Sequence, residues 1–146
     1  GAASADTAQS IAIASIGAQL AVREATPMSF GTVAPPAESA TVELTPMSAT
    51  VNCGLSRIGG ERALAASVAL RGAPNQTFSV ALPTRARMGG GASGIDVATF
   101  VHDAGPTPTI DRSGVVQFRI GATLFVAEKT SSGVYSGSFD VIVSNN

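Results

Sequence analysis

The feature that most constrains this chain is a slip of phase near its start. Residues 10–22 read S-I-A-I-A-S-I-G-A-Q-L-A-V. Ile11 and Ile13 alternate with small residues, the period-two pattern of a half-buried strand. At Ser15 and Ile16 the alternation slips by one, and Ile16, Ala18, Leu20 and Val22 continue it in the opposite phase. A strand does not exchange its faces without a bulge or a break. The pattern therefore predicts two strands: a leading arm near residues 7–16 and a first body strand near 19–24, hinged at Gly17 and Ala18. No turn chemistry precedes the arm, so no hairpin partner is offered from that side.

The rest of the chain alternates in the same way. Met28 and Phe30 share a phase, Val42 and Leu44 another, and Val51 and Cys53 a third. Ala66, Val68 and Leu70 form the next set, then Phe78, Val80 and Leu82. Ile95, Val97, Thr99 and Val101 follow, with Phe100 on the opposite face. Val116, Phe118 and Ile120 alternate, and Leu124 and Val126 continue after Gly121 and Ala122. The last set is Tyr135, Phe139, Val141 and Val143. Proline pairs or Gly-rich turns stand between these runs, and Gly59-Gly60 argues against a helix over residues 55–65. About ten short strands without a helix predict one antiparallel β-sandwich. The organisation expected is an arm and hinge over residues 1–17 and one domain over residues 18–146.

Composition narrows the function. Charge is 13% of residues and the net value is −1, with no basic run, which speaks against a nucleic-acid partner. The start, Gly1-Ala2-Ala3-Ser4-Ala5, has the small-residue character that follows signal-peptide cleavage, so an exported protein is expected; a trimmed start is the alternative. Cys53 is the one cysteine and cannot form an internal disulfide. Gly89, Gly91 and Gly94 have the spacing of a dinucleotide fingerprint, but a strand pattern follows where a helix is required. His102-Asp103 is the one His–acid pair, and no nucleophile motif accompanies it. One His and one Cys make a poor zinc set, and Asn75-Gln76-Thr77 reads as a turn. No enzyme activity, metal or small-molecule cofactor is expected.

Two ends of the sequence resemble a known family. Met28-Ser29-Phe30-Gly31-Thr32-Val33 resembles the L-x-F-G-x-I opening of the DUF4402 family of bacterial secreted proteins. Gly121-Ala122-Thr123-Leu124-Phe125-Val126 and then residues 133–143, G-V-Y-S-G-S-F-D-V-I-V, resemble its G-G-T-L-x-V and G-x-Y-S-G-T-F-x-V-T-V close. Residues 76–83 are similar to its A-T-Y-T-I-T-L-P stretch. The ending Ser144-Asn145-Asn146 departs from the family's Asn-Tyr-Asn. The family looks like fimbrial, pilin-type subunits with an incomplete immunoglobulin-like fold.

That resemblance implies a use for the arm. If residues 134–144 are the penultimate strand of such a sandwich, the sheet lacks its closing neighbour, and an open edge is an aggregation hazard. The arm would fill the gap. Extended chain at ~3.3 Å per residue lets it either fold back or enter another copy; insertion into a neighbour is β-strand addition and builds an open filament. The donor side chains expected are Ile11, Ile13 and Ile16. The groove expected to receive them comprises Phe139, Val141, Val143, Phe30 and Val33. Tyr135 is expected to make a tyrosine-corner-like hydrogen bond or an assembly contact, and Gly137 to allow close approach or a bulge. The expected protein is a subunit of a helical homopolymer on a bacterial surface, handled before assembly by a periplasmic chaperone and an outer-membrane usher. The alternative is a secreted monomeric binding module, self-complemented by its arm, using loops such as residues 89–94 and 105–111.

Overall fold

A computed structural model describes residues 5–17, 20–33, 39–53, 63–89, 95–127 and 133–146. The described residues form eleven β-strands and no helix. In order they are β1 (Ala5–Ile16), β2 (Ala21–Thr26), β3 (Met28–Val33), β4 (Ala40–Leu44), β5 (Thr50–Cys53) and β6 (Ala66–Arg71). Then come β7 (Phe78–Ala81), β8 (Arg85–Met88), β9 (Ile95–His102), β10 (Val115–Val126) and β11 (Gly133–Asn145). Pro27 separates β2 from β3, and Pro46 and Pro83 follow β4 and β7, all three outside the ladders, which proline cannot extend for want of an N–H.

The strands make two curled sheets. The smaller has the order β3-β1-β11-β7. The larger has seven strands: β2-β6-β10-β4-β5 along one path, with β9 also paired to β10 and β8 to β9. Between them lies one core. Tyr135, Phe139, Val141, Val143, Met28 and Phe30 from the smaller sheet face Val68, Leu70, Phe118, Ile120, Leu124 and Val97 from the larger, all of them buried. Phe100 of β9 packs on Phe139 of β11 with ring centroids 5.2 Å apart, and Phe78 lies 6.2 Å from Phe118.

The structure changes several expectations. Every described strand pairing is antiparallel except one: β1 runs parallel to β11, so the sandwich is not purely antiparallel. The first and last strands can pair this way because the whole intervening domain serves as the crossover that parallel neighbours require. The two runs around Gly121 belong to one strand, β10. Its first half pairs with β6 and its second with β4. Strand β8 is one that the periodicity did not reveal; its two arginines hide a four-residue alternation in which Met88 is buried.

β9 also breaks its predicted phase. Ile95 and Val97 face the core, but Thr99 has φ of 54° and the pairing with β10 shifts between Gly121 and Thr123. The shift turns Phe100 toward the core and leaves Val101 43% exposed. Of residues 55–65, only 63–65 are described; Ser29 and Leu64 exchange backbone hydrogen bonds of 2.9 and 2.8 Å there. The side chain of Cys53 lies outside the described residues.

Two measurements test these local features. A β-branched residue in the left-handed region is held at a cost of about 1–2 kcal/mol. Thr99→Asn, which tolerates that backbone, should raise the unfolding free energy by roughly 0.5–1 kcal/mol in urea titrations. Asp111 accepts hydrogen bonds from the Ser113 hydroxyl, from the Ser113 N–H at 2.9 Å and from the Val115 N–H at 3.3 Å. These bonds, the hydroxyl's first, hold its carboxyl below its ordinary pKa of 3.8. A lowered folded pKa contributes stability above the unfolded value and loses it as pH falls through the folded one. The Asp111→Asn variant should therefore show a smaller loss of stability between neutral and strongly acidic pH than the wild type.

Candidate functional site: the slot filled by the first strand

β1 forms because residues 5–16 alternate without proline or a helix-forming run, and it lies between two strands distant in sequence. Its parallel ladder with β11 is unbroken for its whole length, from Ala5 beside Gly133 to Ile16 beside Ser144. On the other side it pairs with β3 only from Ala5 to Gln9, with a bulge between Thr7 and Gln9. The Ser29 hydroxyl donates to the Thr7 carbonyl at 3.1 Å and closes that bulge. β3 and β11 each pair with β1 and not with one another, so with β1 taken out nothing joins them and the sheet splits.

Thr7, Gln9, Ile11 and Ile13 of β1 point into the sandwich. Thr7 is 5% exposed and Gln9 fully buried, while Ile11 and Ile13 are half-buried against the core. Ile16 is 59% exposed. The phase slip explains this: Ile16 falls on an even position and points away from the core. Of the three expected donor residues, the slot thus takes in Ile11 and Ile13 and leaves out Ile16. In the register these positions face one another, Ile11 beside Phe139, Ile13 beside Val141 and Gln9 beside Gly137.

The expected groove residues Phe139, Val141, Val143 and Phe30 are all buried. The backbone of Val33 sits opposite Ala5, and its side chain lies outside the described residues. Tyr135 is buried beside Thr7. At Gly137 the β8 backbone crosses close above β11. A Cβ there would stand 2.4 Å from the Arg87 carbonyl oxygen. The neighbouring Ser136 and Gly89 exchange backbone hydrogen bonds of 2.8 Å. Thr7 and Gln9 were not among the expected site residues. A search for apolar donors passes over them, although both share the phase of Ile11 and Ile13.

The link out of β1 is short. Gly17 has φ of 130°, a conformation that suits glycine, and its backbone packs on the Asn145 side chain. Ala18 lies outside the described residues. Leu20 is buried in the core and leads into β2, which belongs to the other sheet. The two strands separated by the phase slip therefore lie in different layers.

Other candidates have plain surroundings. His102 ends β9, and its Nδ1 accepts the Ala104 N–H at 3.1 Å while the ring meets Phe118 edge-on at 6.0 Å. It borders an open cleft of about 460 Å³ lined by Ser79, Val80, Asn146 and the loop from Gly105 to Pro108. Among the described residues no three His, Cys, Asp or Glu gather as a metal site. Of the glycine-rich stretch only Gly89 is described, and the strand β9 follows it. No described helix is long and apolar enough to cross a membrane.

Taken together, the fold and slot define an all-β, two-sheet domain whose smaller sheet is made continuous by a strand joined through one short link. A family model described as a domain of unknown function, DUF4402, matches residues 20–144, and the chain belongs to that family. The matched span starts just past Gly17, so β1 lies outside it although it completes the domain's sheet. No curated protein matches the chain.

The burial pattern predicts an order of mutational effects. Ile11→Ala and Ile13→Ala should each lower stability by about 1–2 kcal/mol, less than full burial would give. Ile16→Ala should stay within roughly 0.5 kcal/mol of wild type. Urea midpoints of the three variants check the order; equal losses at all three positions would contradict the seating of β1.

Proposed function

We propose that the chain is a non-enzymatic structural subunit of an extracellular filament, and that copies join head to tail by passing β1 into the next copy's slot. In this reading the domain is an immunoglobulin-like sandwich left incomplete without its first strand. The observation that carries it is the slot itself. A twelve-residue strand fills a sheet between β3 and β11 and hangs from the domain by one glycine-containing link.

Three physical points support the reading. Main-chain pairing along the full strand gives a joint affinity, and alternating side chains give it register. A contact between one end of a copy and another face of the next is heterologous, and it builds an open filament when its rotation does not close. β1 is paired with the last strand, at the far end of the sequence. Pairing over so long a separation is intrinsically slow, which favours an arm still open to another copy. In this reading, prompted by the fimbrial resemblance of the two terminal motifs, such a filament stands on a bacterial surface after export. A periplasmic chaperone and an outer-membrane usher are the partners this route needs, because an empty slot is an exposed apolar edge.

A second reading has its own observation. In this chain β1 sits in the slot of its own domain, and the cleft beside His102 uses the loop from Gly105 to Pro108. A self-closed monomer presenting that cleft to a ligand would be a secreted binding module. Static light scattering separates the two, since a stable monomer under all conditions favours the second.

For the first reading, a chain lacking residues 1–16 should give no filaments by negative-stain microscopy, whereas the intact chain should. Normal filaments from the truncated chain would refute it.

A further inference from the structure

Gln9 is a poor tenant of the slot. It is fully buried, and neither its Oε1 nor its Nε2 has a hydrogen-bond partner among the described residues. A buried amide without partners forfeits its hydration with nothing in return. Its neighbour across the ladder is Gly137, which has no side chain to offer a bond, and the β8 backbone close by leaves no room for one. Meanwhile Ile11 and Ile13, the best apolar side chains of the strand, are only half-buried.

The misfit follows from the tether. Gly17 is packed against Asn145 and Leu20 is set in the core, so the link is pinned at both ends. Ile16 must then stop beside Ser144, and that fixes Gln9 beside Gly137. A β1 arriving from a second copy has no such constraint. It can slide by two residues, or turn round, and keep the same face inward. Either change moves Gln9 off the Gly137 position and puts a different side chain there. By contrast, exchange into the same seat would reproduce every contact of the closed monomer, and the filament would gain nothing to offset the loss of freedom on association.

We infer that the slot's better-fitting occupant is β1 of a second copy, seated so that Gln9 no longer lies beside Gly137. Gln9 thereby keeps the self-closed chain from becoming a trap. This rests on the filament reading for its setting, but its physical core concerns the closed chain alone.

The test uses the full chain with Cys53→Ala. Ser10 and Ser138 are exposed neighbours across the ladder, so the pair Ser10→Cys and Ser138→Cys should form an intrachain disulfide in the monomer. Within filaments the same pair should give no interchain disulfide, and an interchain 10–138 disulfide overturns the inference. Separately, Gln9→Met, close in shape and without the amide, should raise the monomer's urea midpoint and slow arm release and filament growth by roughly tenfold. Gln9→Leu serves as a second variant if methionine perturbs folding. Stability unchanged or lowered in both variants also overturns it. If the intact chain never forms filaments, the filament reading fails, and the stability of the Gln9 variants still decides whether the buried amide is a misfit.

Discussion

The parallel ladder between β1 and β11 is the interaction on which this domain depends. It is what joins β3 to the rest of the smaller sheet, and so what lets two layers close over one core. Without it β11 would present a long unpaired edge with Phe139, Val141 and Val143 behind it, a combination that sheets ordinarily protect. Apart from the short β1–β3 pairing, all other strand pairings join segments inside the span from residue 20 to the end of β11, so this one ladder carries a disproportionate share of the architecture.

The same ladder is imperfect in a specific way. A strand selected only to close its own sheet would place isoleucine at the buried position and glutamine at the rim. Here the order is reversed, with Gln9 inside and Ile11 and Ile13 toward the open end. The bulge at Thr7 and Gln9 in the pairing with β3 falls at the same place. Registers are set either by side-chain fit or by the connection that leads into the strand. In the self-closed chain the connection prevails, because Gly17 and Leu20 are both held.

Elsewhere the fold uses ordinary means. The larger sheet curls so that β8 comes over β11, and glycine at position 137 allows the approach. β9 follows the curl by a bulge at Thr99, which turns Phe100 onto Phe139. These features shape the walls of the slot, and they are local corrections to regular strands rather than separate elements.

Periodicity alone was enough to read the class of this protein, most of its strands and the division at Gly17, because side-chain alternation and turn chemistry are local properties. The phase slip at Ser15 and Ile16 already separated two strands, and it also explains why Ile16 faces outward. The inward set of β11 could be read for the same reason. The direction and register of β1, the continuity of β10, the turned phase of β9 and the depth of Gln9 were decided only by the tertiary structure. Each depends on which distant strand lies alongside, and two strands of the same alternation can pair in several registers and in either direction. That choice is made by packing across the sandwich and by the reach of the link at Gly17, neither of which is written in the spacing of apolar residues.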